Sequence, residues 1–296
     1  MSTLTTLSTS SSSAFIEANT QVASLYQLDR EHLIPVFAKD NERCISHAEF
    51  VRSVMEAVAF AFPEEQVLQP SIRVSHPING RTPEAKHKQP SELLPHEKTL
   101  YFERMMFNIE IPSLTASIDG KELHLNIGGI KAFNLDKLHG KRSSQHFKVF
   151  VGFQVKVCSN LCISSDGAIL EFDALKSDDI FIKVVNLLGS FQQENWIKQL
   201  QELASMSIDR QAFEQLIGRL RLQLYDHNST MDNMLGDQQM GHVVRGYFTN
   251  KEFGADAEGS ISLWNVYNLF TEANKSSYVD KFLGRSAAVI KLLERL

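Results

Sequence analysis

Phe147-Lys148-Val149-Phe150-Val151-Gly152-Phe153-Gln154-Val155-Lys156-Val157, running on through Cys158-Ser159-Asn160-Leu161-Cys162-Ile163, is the stretch whose reading decides the fold. Odd positions 147 to 157 carry Phe, Val, Val, Phe, Val and Val. The even positions are mostly polar, with Phe150 the exception. Alternation of this length puts one strand face in a core and the other outside it, as in an antiparallel sheet. β-branched and aromatic residues suit such a pleated, half-buried surface.

Working upstream, Leu100 to Ile111 reads as a strand stopped by Pro112. A hairpin follows around Asp119-Gly120, a dipeptide favoured in two-residue turns. It pairs Ala116 with Leu123 and Leu114 with Leu125. Gly128-Gly129 is expected to bend the chain before a short strand, Ile130 to Leu135. Downstream of the central strand, Asp166-Gly167 marks a second turn before Ala168 to Phe172.

The flanks are helical. Ala14 to Leu28 carries a first helical pattern. Phe50, Val54, Val58 and Ala61 form a second that begins after Ser46 and ends at Pro63. After residue 177 the pattern is helical again, with Ser177 and Asp209 as N-caps and a stripe of Phe213, Leu216, Ile217, Leu220 and Leu224. Further helices are expected over Gln238 to Tyr247, Leu263 to Ala273 and Tyr278 to Leu293. Strands first and helices afterwards define an α+β fold. It is a mainly antiparallel sheet (about 97–175) packed with N-terminal helices and a C-terminal helical region (177–296), in one domain over 14–296. Residues 1–13, nearly all Ser and Thr, read as a disordered tail. Five of the eight prolines fall between Pro70 and Pro95, so 70–96 reads as an irregular, exposed loop.

With 296 residues, 43% of them hydrophobic, the chain can bury a proper core. A net charge of −5 argues against a strongly basic, sequence-blind nucleic-acid binder. No run approaches the roughly 18 apolar residues of a membrane span. The start lacks a secretory n-region and is poor in Arg. Three cysteines, Cys44, Cys158 and Cys162, read as reduced thiols. The expectation is a cytoplasmic protein with no membrane partner.

Motifs for catalysis are weak. Gly140-Lys141-Arg142-Ser143 lacks the upstream glycine of a phosphate loop and precedes a strand, not a helix. Cys158 and Cys162 read as two buried small hydrophobes rather than half of a zinc site, even with a turn at Ser159-Asn160 and help from His146 or Cys44. Gln154-Val155-Lys156 with Asp136 resembles a metal-dependent nuclease arrangement, but no second carboxylate is evident. No H-E-x-x-H, G-x-S-x-G or nucleophilic triad is found. No cofactor, metal site or catalytic residue is expected.

One charge feature stands out. From Asp136 to Lys156 there are five basic residues against one acidic, a local balance of +4. Lys137, Lys141, Arg142, Lys148, Phe150, Gln154 and Lys156 therefore form a candidate surface for single-stranded nucleic acid, with phosphates at the cations and a base on the Phe150 ring. The competing expectation is that Phe150 packs under a C-terminal helix and the lysines fringe the sheet.

Ser75-His76-Pro77-Ile78-Asn79-Gly80-Arg81, the segment His96 to Met105, Gly128-Gly129-Ile130-Lys131-Ala132, Lys156-Val157-Cys158-Ser159-Asn160-Leu161 and Asn274-Lys275-Ser276-Ser277-Tyr278 resemble an uncharacterised bacterial family of unknown function. The likeness runs from about residue 70 to the C-terminus. Val157-Cys158-Ser159-Asn160 and Leu263-Trp264-Asn265 are also similar to a broader family of phage- and plasmid-like proteins, in which a glycine often follows the asparagine; here it is Leu161. The resemblance implies a bacterial accessory protein of mobile-element type and supplies no catalytic residues, cofactor or fold. The expected function is nucleic-acid binding without catalysis. A module acting on a host protein and a metal-dependent nuclease are the alternatives.

Overall fold

The computed structural model describes residues 14–31, 45–85, 87–136, 144–163, 168–226 and 234–296. The expected Ser/Thr tail, Cys44, the Asp166-Gly167 turn and the basic residues Lys137, Lys141 and Arg142 lie outside these. The N-terminal part comprises β1 (Gln21–Ala23), α1 (Leu25–Glu31), α2 (His47–Ala61), β2 (Ser71–Val74), β3 (Pro77–Arg81) and β4 (Lys98–Phe102). The long strands follow: β5 (Arg104–Ile118), β6 (Lys121–Ala132), β7 (Gln145–Val155), β8 (Leu161–Ile163) and β9 (Ile169–Ala174). The C-terminal part comprises α3 (Ser177–Ser190), α4 (Gln193–Ser205), β10 (Ser207–Ile208), α5 (Arg210–Gln223), α6 (Asp237–Thr249), β11 (Ile261–Ser262), α7 (Leu263–Asn274) and α8 (Val279–Leu293). The architecture is α+β.

The main sheet is antiparallel, in the order β1-β2-β5-β6-β7-β8, with β9 sharing the outer edge of β7. Its core is the β5–β6 hairpin. Asp119 and Gly120 both take positive φ, 48° and 70°, the backbone that a two-residue turn needs and that glycine adopts freely. Ala116 faces Leu123 as expected, but the register shifts between Ile111 and Thr115, so Ile111 rather than Leu114 faces Leu125. Pro112 therefore does not stop the strand. It sits at a bulge, where its missing N–H interrupts no ladder bond.

Further expectations change. Within Ala14 to Leu28 only the part from Leu25 onward is helical, and Gln21–Ala23 is a strand paired with β2; Ser177 is the first residue of α3 rather than its N-cap. The proline-rich segment is not irregular throughout: β2 joins the main sheet and β3 pairs with β4, with Pro77 as a first strand residue. Gly128-Gly129 does not bend the chain. Both lie within continuous β6, and each admits an aromatic ring on one face. A Cβ on Gly128 would lie 2.3 Å from the Phe150 ring, and one on Gly129 would lie 2.6 Å from the Phe50 ring. The central strand ends at Val155, and the chain reverses so that β8 pairs back on β7. Ser159 takes φ 56° in this turn. The buried Asn160 amide donates to the backbone oxygen and Oδ1 of Asn268, both at 3.2 Å, and Lys275 Nζ donates to the Cys158 oxygen. These contacts come from α7 and the residue after it, so the strand's end is set from more than a hundred residues away.

The odd-numbered face of β5, β6 and β7 packs in the main core with α2, α3 and α4; Phe107, Leu125, Phe147, Val151 and Phe153 are buried there. The Ser46–Glu49 capping box begins α2, with reciprocal bonds of 3.1 and 2.7 Å. The even-numbered face is divided. One half forms a second apolar cluster in which Met106, Ile130 and Phe150 meet Phe15 and Ile16 of the N-terminal segment and Phe282 and Leu283 of α8. The other half carries polar residues. Among the described residues no helix is long and apolar enough to cross a membrane.

Candidate ligand-binding cleft

Of the expected nucleic-acid surface, three cations lie outside the described residues. Phe150 is fully buried beneath α8 and the N-terminal segment, so no base can stack on it. This corrects the exposed-face expectation and agrees with the competing one. The cause is the run Val279 to Leu283, which needs an apolar partner and takes this half of the sheet. Lys148 is only 12% exposed and pairs with Glu171 of β9 at 2.8 Å. Lys156 is 59% exposed and lies 3.5 Å from Glu122 of β6. The charges of these two lysines are thus offset by acids on neighbouring strands. Asp136 is buried and accepts the His146 backbone N–H at 2.8 Å, eight residues along β7 from Gln154. At about 3.3 Å per residue that is roughly 26 Å, so Asp136, Gln154 and Lys156 do not assemble into a nuclease centre. Cys158 and Cys162 are not joined in a disulfide, and among the described residues no group of three His, Cys, Asp or Glu side chains could hold a metal.

Gln154 and Lys156 do belong to a shared site. The polar half of the even face floors a cleft of about 630 Å³, with Arg73, Asn108, Glu110 and His124. The strands place them in order: Arg73 on β2, Asn108 and Glu110 on β5, His124 on β6, Gln154 on β7. Ala14, Phe15 and Val22 of the N-terminal segment and Leu68 form its apolar rim. That volume is within the range of small-molecule sites.

Side-chain amides organise the floor. Asn108 Nδ2 donates to Asn126 Oδ1 at 2.5 Å and to Gln154 Oε1 at 3.2 Å. Asn126 Nδ2 donates to the His124 carbonyl, and Gln154 Nε2 to the Ser159 carbonyl. Both Asn108 hydrogens are therefore used. Its Oδ1 has no partner although the residue is only 5% exposed. A buried acceptor without a partner costs about 1–3 kcal/mol.

His124 is clamped. Nδ1 bonds Glu110 and Nε2 bonds Glu122 at 2.9 Å. Carboxylates only accept, so the two contacts are satisfied together only by the doubly protonated ring, an imidazolium. Burial opposes this charge, but the hydrogen bonds and charges of Glu110 and Glu122 outweigh it and raise the His124 pKa. The bond from His124, followed by the charge of Lys156, lowers that of Glu122. A histidine with both nitrogens engaged has no lone pair to take a substrate proton. Arg73 differs from the other cations. Its Nε and Nη2 donate to Oγ1 and the carbonyl of Thr20, at 3.1 and 2.9 Å, both neutral groups. Arg73 forms no ion pair with a carboxylate among the described residues.

The sequence reading missed Arg73, Asn108, Glu110 and His124. A signal existed: Asn108, His124 and Asn126 are polar residues inside two strongly apolar strands, and such residues need partners when buried.

No curated protein and no solved structure matches the chain. A family model described as "Domain of unknown function, B. Theta Gene description" matches residues 3–295. That match covers nearly the whole chain, including every strand of the sheet and every residue of the cleft. The chain is therefore a member of the DUF3871 family.

Proposed function

We propose that this protein is a non-enzymatic binding module whose ligand seats in the cleft on the polar half of the sheet. The observation that carries this reading is Asn108 Oδ1, a buried acceptor with no partner on the floor of an open cleft. A ligand donor would remove its desolvation cost. The clamped imidazolium supports binding over proton transfer. From the sequence resemblance we further read the protein as a bacterial accessory factor of mobile-element type, acting in the cytoplasm.

The test is a screen of polar small molecules by thermal shift, followed by amide NMR mapping of each hit. A bound ligand stabilises the folded chain by mass action, about 2.7 kcal/mol at a hundred times its Kd. Perturbed amides are expected at 71–73, 108–110, 124 and 154–156. Hits that map instead to the helical surface would overturn the reading.

A second reading is supported by Gln154 and Lys156, which line the cleft beside Arg73. In it a single-stranded nucleic acid is the ligand, entering the cleft rather than lying on Phe150. With two cations engaged, the logarithmic salt slope should be only about −1.4. A slope of zero, or no binding at low salt by oligonucleotide anisotropy, would remove this reading.

A further inference from the structure

The cleft's unspent groups describe its ligand. Asn108 Oδ1 is one, and it can only accept. Glu110 is another: one carboxylate oxygen bonds His124, and no described residue takes the second. It too can only accept. The floor therefore asks for donors. Three cations, Arg73, Lys156 and the His124 ring, face the two carboxylates Glu110 and Glu122. His124 and Lys156 are engaged with those carboxylates, and Arg73 alone is not. One positive charge is left over, on a guanidinium whose planar fork suits a carboxylate or phosphate.

We infer that the cleft binds a small hydroxyl-rich anion, whose single acid group pairs with Arg73 and whose hydroxyls donate to Asn108 Oδ1 and Glu110. This rests on the cleft being the ligand seat. An ammonium group would also donate to these acceptors, but it would meet three cations. A bare anion would leave the acceptors unmet. Hydroxyls donate to the floor and still accept from solvent at the cleft mouth. The same chemistry belongs to a sugar carboxylate and to a sugar phosphate, including the ribose phosphate of a nucleotide.

Calorimetric titration of the full chain with glucuronate, ribose 5-phosphate, glucose and inorganic phosphate tests this. At least one of the two acidic sugars should bind about tenfold or more tightly than both glucose and phosphate. Whichever binds better identifies the acid group. Arg73→Gln keeps a donor for Thr20 but removes the charge, and should weaken the acidic sugar roughly 10- to 100-fold while leaving glucose unchanged. Arg73→Lys should restore part of that loss. Circular dichroism checks that both variants fold. Phosphate binding as tightly as ribose 5-phosphate, or glucose as tightly as glucuronate, would overturn the inference. So would no heat with any of the four. The cleft reading is judged separately. Another class of screened ligand that maps to 108–110 and 124 by NMR would leave it standing without the hydroxyl-rich anion. No ligand mapping there would end both.

Discussion

The pair Lys131–Asp136 offers the sharpest test of the structure's energetics. Both side chains are fully buried, with Nζ 2.5 Å from Oδ1. The same carboxylate oxygen accepts the His146 N–H at 2.8 Å. Lys131 Nζ also lies 3.3 Å from the His146 carbonyl and 4.4 Å from the Phe147 ring centre. Asp136→Asn keeps the shape and an acceptor for His146 but removes the carboxylate charge beside the buried ammonium. Breaking a buried pair from one side costs about 3–5 kcal/mol. For a chain of this size 1 kcal/mol shifts Tm by about 2 °C, so Tm should fall by roughly 6–10 °C. Lys131→Met should cost a similar amount by stranding the carboxylate. The double variant should recover much of this, giving a coupling energy of at least about 2 kcal/mol. Urea denaturation followed by circular dichroism measures all four proteins, and the m-value should stay constant. Single variants that each cost under about 1 kcal/mol, or an additive double variant, would refute the argument that a mutually dependent buried ion pair ties the end of β6 to the start of β7.

Phe150→Ala should lose about 3–5 kcal/mol of stability, as expected for emptying a core aromatic site, and should leave oligonucleotide binding unchanged once folding is corrected for. A selective loss of binding with intact stability would instead restore Phe150 as a surface residue. Because the folded state raises the His124 pKa, its stabilising contribution is complete below the unfolded value near 6.5 and is lost as pH rises through the folded value. Unfolding free energy measured across that window should fall with pH, and His124→Gln should flatten the fall; an unchanged profile would contradict the clamp. Burial pushes the Cys158 thiol up to about 11 and the Cys162 thiol well above its usual value. In a Cys44→Ser background, neither remaining thiol should react readily with an aromatic disulfide reagent at pH 8 until the chain is unfolded. Rapid labelling of the native protein would show that the turn at 156–160 is open.

The elements whose signal is local were legible in the sequence. Alternation identifies β7 through Val155, Asp119-Gly120 identifies the hairpin turn, Asp209 caps α5 as expected, and strands followed by helices identify the α+β class. These follow from backbone sterics and from a burial period that a few neighbouring residues carry in full. What the even face of the sheet meets was decided only by the tertiary structure. Phe150 and Gln154 alternate identically along β7, yet α8 and Phe15–Ile16 cover the first while the second borders a cleft. The end of β7 depends on Asn268 and Lys275, and the partners of Lys148 and Lys156 come from β9 and β6. The cleft itself gathers Arg73, Asn108, His124 and Gln154 from four strands spread over eighty residues of chain. Periodicity tells which way a side chain points from its own backbone. Burial, ion pairing and the unmet acceptor on Asn108 depend on which distant segment arrives opposite, and that is settled by packing of the whole core.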